Sequence, residues 1–114
     1  MMDLLMNTSI VIDRPRGSAH PRYPDLIYPL DYGYLEDTTA SDSNGIDVWL
    51  GSLTKARNDN SKTLTGILCT FDTLKRDAEI KLLIGCNDED VQRIQDFNKD
   101  MPTLYIPNPT VGKR

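Results

Sequence analysis

The fold is decided by residues 63–86, whose sequence is TLTGILCTFDTLKRDAEIKLLIGC. Thr63–Asp72 and Asp77–Cys86 are apolar and partly β-branched, a composition that predicts two strands. Between them, Thr73–Arg76 has the length and polarity of a four-residue hairpin loop. The segment therefore predicts an antiparallel β-hairpin, around which the other elements are arranged.

The mouth of this hairpin carries two acidic residues, because its register places Asp72 opposite Asp77. Like charges directly opposite each other destabilise a strand pair unless a cation lies between them, and Mg²⁺ takes oxygen ligands of this kind. A purely structural alternative is that each carboxylate caps the turn. The same register places Cys69 opposite Ile80 and not opposite Cys86, so two unpaired thiols are expected.

Short elements flank the hairpin on both sides. Asn87 is a residue type that commonly caps a helix N-terminus, and the acidic residues after it suit the helix dipole. The predicted elements are strands at Ser9–Asp13, Ile46–Leu53 and Thr103–Ile106, and a helix at Asp88–Lys99 with a buried stripe of Val91, Ile94 and Phe97. Several short strands with one helix near the end are typical of a mainly β (α+β) domain.

Length and composition limit the classes of function. With 114 residues and a mass of 12.9 kDa, the chain predicts a single domain, 1–114, with a flexible tail at 107–114. A net charge of −4 and a pI near 4.8 disfavour nucleic-acid binding. No apolar run approaches the roughly 18 residues that span a membrane, and the first residues are too short and acidic for a signal peptide. A cytoplasmic protein is expected, with neither nucleic acid nor membrane as a partner.

Charge is unevenly distributed along the first half of the chain. Residues 14–22 hold three Arg and the only His but no acid, whereas residues 25–47 hold six acids and no Lys or Arg. This pattern favours a site that binds an anion and a cation together. The alternative is two solvated loop surfaces that differ in sign.

Two polar motifs lie within these stretches. Tyr28–Tyr34, with sequence YPLDYGY, offers phenol hydroxyls that donate to phosphate oxygens, although aromatic packing also explains tyrosines at such positions. Asp42–Asp47, with sequence DSNGID, predicts a tight turn that directs Asp42 and Asp47 to one side, unless it serves as a turn alone. Arginines from the basic stretch are able to clamp phosphate. Together these features predict phosphate donors next to metal-binding carboxylates.

These residues resemble the family of soluble Mg²⁺-dependent inorganic pyrophosphatases. That family carries Y-P-x-N-Y-G-Y and, ten residues after its second Tyr, D-[SGDN]-D-x-x-D; here Tyr28–Tyr34 is followed at the same spacing by Asp42–Asp47. A further D-x-x-x-x-D of the family is matched by Asp72 and Asp77. The resemblance covers roughly residues 9–100. It implies a small five-stranded OB-like β-barrel with a short C-terminal helix, and hydrolysis of pyrophosphate to two phosphates by Mg²⁺-activated water.

The resemblance also implies roles for particular residues and a state of assembly. By position, the implied metal ligands are Asp42, Asp47, Asp72 and Asp77, the substrate-binding residues are Arg14, Tyr28, Tyr32 and Lys99, and the candidate catalytic residues are Asn44, Asp31 and Tyr32. The implied cofactor is Mg²⁺, and the implied ligands are pyrophosphate or phosphate. The family forms dimers or hexamers, so a homo-oligomer is expected.

Several positions depart from the family pattern. Asn44 stands where the family has the acid assigned as general base, and loss of a general base typically costs about 10²–10⁴ in rate. Arg16 replaces a family Glu, and Glu79 replaces a Lys, although Lys81 lies one strand step further on the same face. Asp31 occupies a family Asn position, so we expect it to restore the missing charge. The alternatives are a degenerate member that binds Mg²⁺-pyrophosphate or a nucleotide with little turnover, and an enzyme with a different phosphoester or phosphoanhydride substrate.

Overall fold

The computed structural model describes residues 10–36, 45–54 and 63–109. In this part of the chain, six strands form one mixed sheet in the order β1-β2-β3-β5-β4-β6. The elements are β1 (Ile10–Arg14), β2 (Asp31–Leu35), β3 (Ile46–Leu50), β4 (Leu64–Asp72), β5 (Asp77–Ile84), α1 (Asp88–Phe97) and β6 (Thr103–Pro107). Neighbouring strands are antiparallel except β3 and β5, which are parallel.

The β4–β5 hairpin has the predicted register. Asp72 pairs with Asp77 and Cys69 pairs with Ile80, as the four-residue loop requires. Both cysteines are unpaired, which confirms the expectation of two thiols. The capping alternative is confirmed for the first acid, because Asp72 Oδ1 accepts hydrogen bonds from the backbone N–H groups of Leu74 and Lys75, each at 3.1 Å. This aspartate therefore holds the turn in shape.

The prediction of a closed five-stranded barrel is wrong for the described residues, where the sheet is open. In the order β1-β2-β3-β5-β4, closure would require β1 to pair with β4. The second edge of β4 is instead taken by β6, with Leu68 opposite Tyr105. Asn108 extends this attachment, since its backbone N–H reaches Thr65 O at 3.0 Å and its side chain reaches Leu64 O at 2.7 Å. The tail predicted over 107–114 is thus described only in its first residues, which lie against β4.

Strand β2 was not predicted, and one glycine explains its tight fit beside β1. A Cβ atom on Gly33 would lie 1.8 Å from the carbonyl oxygen of Val11. Only glycine permits this approach of the two backbones. The glycine therefore allows Tyr32 and Tyr34, on either side of it, to enter the sheet.

The helix packs on one face of the sheet, which we call the helix-side face. Asn87 caps its N-terminus as predicted, and a capping box with Asp90 completes the cap. The buried Asp90 carboxylate also accepts hydrogen bonds from the backbone and hydroxyl of Ser52, at 2.9 and 2.8 Å. Val91 and Ile94 are buried against the sheet. The helix ends at Phe97, two residues before the predicted end, and no helix in the described residues is long and apolar enough to cross a membrane.

Alternation along the strands divides the apolar residues into two clusters. The helix-side cluster comprises Tyr28, Leu30, Trp49, Leu68, Leu83, Cys86, Val91 and Ile94. The cluster on the opposite face comprises Leu35, Val48, Leu50, Leu64, Leu82 and Ile84. Each central strand therefore contributes apolar side chains to both clusters. The remaining part of the helix-side face carries polar residues.

Candidate functional site

Strand pairing places most of the predicted site residues on the helix-side face. Residues paired across strands point to the same face, and so do residues two apart along a strand. The pairs Arg14–Tyr32, Tyr34–Asp47, Asp47–Lys81 and Asp72–Asp77 therefore all project from that face. Glu79 lies between Asp77 and Lys81 on β5 and projects from the same face. We call the following residues of this face its polar half: Arg14, Tyr32, Tyr34, Asp47, Asp72, Asp77, Glu79 and Lys81.

Lys81 is the centre of the polar half. Its Nζ donates to Asp47 Oδ2 at 2.7 Å, to the Tyr32 hydroxyl oxygen at 3.0 Å and to Glu79 Oε1 at 2.5 Å. The Lys81 side chain is only 13% exposed. The cluster joins three strands, β2, β3 and β5, through one ammonium group.

Burial and close contact shift the pKa values of Lys81 and Tyr32 in this cluster. Burial lowers the pKa of Lys81, but Tyr32, Asp47 and Glu79 outweigh burial, so the pKa stands above its usual value and the ammonium stays charged. Burial raises the pKa of Tyr32, and the nearby Lys81 offsets only part of that effect. Tyr32 is therefore a neutral phenol at neutral pH. The cluster thus holds a neutral phenol and an ammonium beside a carboxylate whose charge that ammonium neutralises.

The tyrosines pack as the structural alternative predicted. The Tyr32 ring lies 4.7 Å from the Trp49 ring, and the Tyr28 ring lies 4.7 Å from the Phe97 ring. Burial raises the pKa of Tyr28, and the charge of the neighbouring Arg14 acts in the opposite direction. Tyr28 and Arg14 therefore lie close together, beside the aromatic cluster. Packing and phosphate donation are compatible here, because a tyrosine ring packs while its hydroxyl group remains polar.

Asp31 does not join the cluster. It is paired with Leu50, whose side chain belongs to the opposite face, whereas Tyr32 projects from the helix-side face. Asp31 Oδ1 accepts a hydrogen bond from the backbone N–H of Arg16 at 2.8 Å. This contact ties the basic loop to the start of β2. The expectation that Asp31 acts at the attacking water stays a prediction, and this contact does not support it.

The hairpin mouth holds two carboxylates of different character. Asp72 is half-buried and holds the turn through Oδ1, whereas Asp77 is exposed. Carboxylate oxygen is the donor that Mg²⁺ prefers, so the type of donor fits. The arrangement does not form a complete site, because the described residues contain no group of three His, Cys, Asp or Glu side chains that could hold a metal.

Besides Asp31, three predicted site residues lie away from this cluster or outside the described part of the chain. Asp42 and Asn44 lie outside the described residues. Lys99 is exposed just beyond Asn98, the C-cap of α1. Within the described residues, the structure does not place it among the partners of Lys81.

Lys81 and Glu79 were not predicted as site residues. They were noted only as departures from the family pattern, although strand alternation puts Asp77, Glu79 and Lys81 at every second position of β5. Three charged residues at that spacing indicate a polar strip on one face of a strand. The partner of that strip, Asp47, lies on a strand that is not its neighbour in sequence.

Comparison with known proteins adds no assignment. No protein-family model matches this chain, and no curated protein matches it either.

Proposed function

We propose that this chain binds Mg²⁺-pyrophosphate on the polar half of the helix-side face and hydrolyses it to two phosphates. The proposal rests on one observation. Hydrogen-bond donors suited to an anion, and carboxylates suited to a cation, are distant in sequence but project from the same face. They lie next to the helix-side cluster of apolar residues, on which α1 packs and which we call the apolar half. Pyrophosphate with a bound divalent cation requires both kinds of group. The resemblance to the pyrophosphatases assigns site roles to five residues of this face, which are Arg14, Tyr32, Asp47, Asp72 and Asp77.

Each side chain has a simple part in this proposal. Arg14 suits phosphate because a guanidinium binds phosphate oxygens with two hydrogen bonds, and Tyr32 suits it as a neutral donor. Asp72 and Asp77, with Asp42 from outside the described residues, are the carboxylates that would hold Mg²⁺. Bound Mg²⁺ supplies a water of lowered pKa and neutralises phosphate charge. The chain itself binds and orients the substrate.

A second candidate function is binding of Mg²⁺-pyrophosphate with little or no turnover. Two observations favour it. Asn44 cannot accept a proton, so the family's general base is missing. Asp47 is engaged by Lys81 at 2.7 Å, which removes one carboxylate from the set that the resemblance assigns to metal.

The deciding experiment is release of phosphate from pyrophosphate with Mg²⁺, measured for the unchanged chain, for Asp77→Ala and for Asp100→Ala. Asp77 and Asp100 are both exposed, but only Asp77 lies in the polar half, so Asp100→Ala is a matched control. We expect turnover that Asp77→Ala abolishes and Asp100→Ala retains. Equal turnover in all three proteins would refute the assignment of the site.

Calorimetry separates the two candidates when turnover is absent. A heat of pyrophosphate binding that appears only with Mg²⁺ and is lost in Asp77→Ala would support the second candidate, binding without turnover. In that case Asn44→Asp should raise turnover by about 10²–10⁴, because it restores a general base. Absence of both turnover and binding would contradict both functions.

Assembly of several copies is also part of this proposal. On the opposite face, Ile80 and Leu104 flank Cys69 across neighbouring strands and are 59% and 52% exposed. A second copy would cover these apolar side chains. Light scattering measures the mass of the unchanged chain, of Ile80→Asp and of Leu53→Asp, which changes an exposed residue elsewhere. We expect Ile80→Asp to disrupt assembly and Leu53→Asp to leave it unchanged. A monomeric unchanged chain would refute the proposed assembly.

A further inference from the structure

The ammonium of Lys81 is fully used by side chains of this protein. An ammonium has three N–H donors, and three acceptors surround this one, from Tyr32, Asp47 and Glu79. While these contacts persist, no donor remains for a phosphate oxygen. Lys81 therefore differs from the exposed cations of the basic loop, and its part in the site must be played through its three partners.

Asp47 consequently has a cation beside it already. The Lys81 ammonium lies 2.7 Å from Oδ2, a typical distance for a charge-assisted hydrogen bond. A magnesium ion bound to the same carboxylate would place two further positive charges within a few ångströms of this ammonium. Repulsion at such a distance is strong in a partly buried position. The ammonium and a bound metal ion would therefore compete for Asp47.

Tyr32 depends on the same contact. Its ring packs against Trp49, and its hydroxyl oxygen accepts from Lys81 at 3.0 Å. The strand pairing sets Asp47 directly opposite Lys81, so the ammonium bridges the carboxylate and the phenol. Loss of the ammonium would leave the hydroxyl without this anchor.

We infer that Lys81 supplies the positive charge that the resemblance assigns to a metal ion at Asp47, so that Asp47 and Lys81 position Tyr32 and metal binding is left to the other carboxylates of the proposed function. The inference deepens the proposed function, on which it rests for the role of Asp72 and Asp77. The role of Lys81 itself is tested without substrate and without turnover.

The test uses Mn²⁺ as the probe, with calorimetry and paramagnetic broadening of backbone amide signals in the full chain. In the unchanged protein, the Asp47 and Val48 signals are expected to broaden less than those of Asp72 and Asp77, because Asp47 does not bind the ion. In Lys81→Met they should broaden as strongly as those signals, with a Mn²⁺ affinity at that position about tenfold or more above that of the unchanged protein, because the repulsion is gone. The double variant Lys81→Met with Asp47→Asn should lose this gain.

Two controls separate charge from structure. Lys81→Arg keeps the positive charge and should gain no affinity, and Glu79→Gln leaves the ammonium at Asp47 and should gain none. A Lys81→Met protein without stronger Mn²⁺ binding, or with a gain that does not need Asp47, would overturn the inference. A gain that needs Asp47 supports it.

Asp47→Asn in the otherwise unchanged chain decides the matter if Lys81→Met does not fold. We expect its Mn²⁺ affinity to stay within about twofold of the unchanged protein, because Lys81 already excludes the ion. A clear loss of affinity would show that Asp47 binds metal and would overturn the inference. Failure of the phosphate-release assay would refute the proposed function but would leave either Mn²⁺ result standing.

Discussion

The two halves of the helix-side face are built on the same central strands but are stabilised in different ways. In the apolar half, Trp49 and Leu83 of the sheet and Ile94 of α1 are almost completely buried between the sheet and the helix. In the polar half, one ammonium joins residues of three strands through short hydrogen bonds. The boundary is abrupt, since Lys81 and Leu83 are separated by a single residue. Apolar burial therefore fixes one half, and mutual satisfaction of charges fixes the other.

The largest expected effect tests the apolar half. Ile94→Ala removes a fully buried side chain between α1 and the sheet and should lower the free energy of unfolding by about 2–5 kcal/mol. Urea unfolding followed by circular dichroism measures the change. Gln92→Ala, on the exposed side of the same helix, is the control and should stay within about 0.5 kcal/mol. A loss below 1 kcal/mol for Ile94→Ala would show that the helix contributes little to this face.

The hairpin and the helix were predictable because each is specified by neighbouring residues. The loop Thr73–Arg76 fixes the register of β4 against β5, and Asn87 and Val91 mark the start and buried side of α1. Local length and spacing are enough for such elements. The predicted ends of these elements differ from the ends in the structure by only a few residues, as is common for helix and strand ends.

Closure of the sheet and the presence of β2 were not predictable in this way. The second edge of β4 is available to any strand, and only packing of the whole chain gives it to β6. Strand β2 follows a proline-rich loop and contains Gly33, both of which argue locally against a strand. The tight approach to Val11 that requires this glycine appears only once β1 is in place.

In the candidate site, too, contacts set by neighbouring residues were predictable and contacts between distant strands were not. The Asp72–Asp77 pair follows from the hairpin register and was found. The Asp47–Lys81 pair joins two parallel strands, β3 and β5, and parallel neighbours are not linked by a short turn that sets their register. No local pattern brings these two residues together, so the cation beside Asp47 could not be seen in the sequence.

The prediction of intermediate size is a loss of stability at alkaline pH, to which both the polar half and the Cys86 thiol of the apolar half contribute. Burial raises the pKa of the Cys86 thiol from 9.0 to about 12, and the pKa values of Tyr32 and Lys81 are raised as well. The folded protein then retains protons that the unfolded chain releases. Stability is therefore complete below about pH 9 and falls above it, with a slope of about 1.4 kcal/mol per pH unit for each proton retained.

Urea unfolding between pH 8 and pH 11 measures this loss. Cys86→Ala should flatten the curve near pH 9–10, where the unfolded thiol ionises first, and Tyr32→Phe should flatten it above pH 10. Stability that is unchanged up to pH 11 in the parent protein would contradict the raised pKa values of all three groups.

The smallest expected effect separates the two acids of the hairpin mouth. Asp72→Ala removes the acceptor for the backbone N–H groups of Leu74 and Lys75, which should lower the free energy of unfolding by about 1 kcal/mol. Asp77→Ala removes only the like charge opposite Asp72, so stability should stay the same or rise by a few tenths of a kcal/mol. Urea unfolding of both variants without metal measures this difference. Equal destabilisation would mean that Asp77 also holds the turn. The expected asymmetry would identify Asp77 as a carboxylate that the fold does not need and that is therefore available to a bound cation.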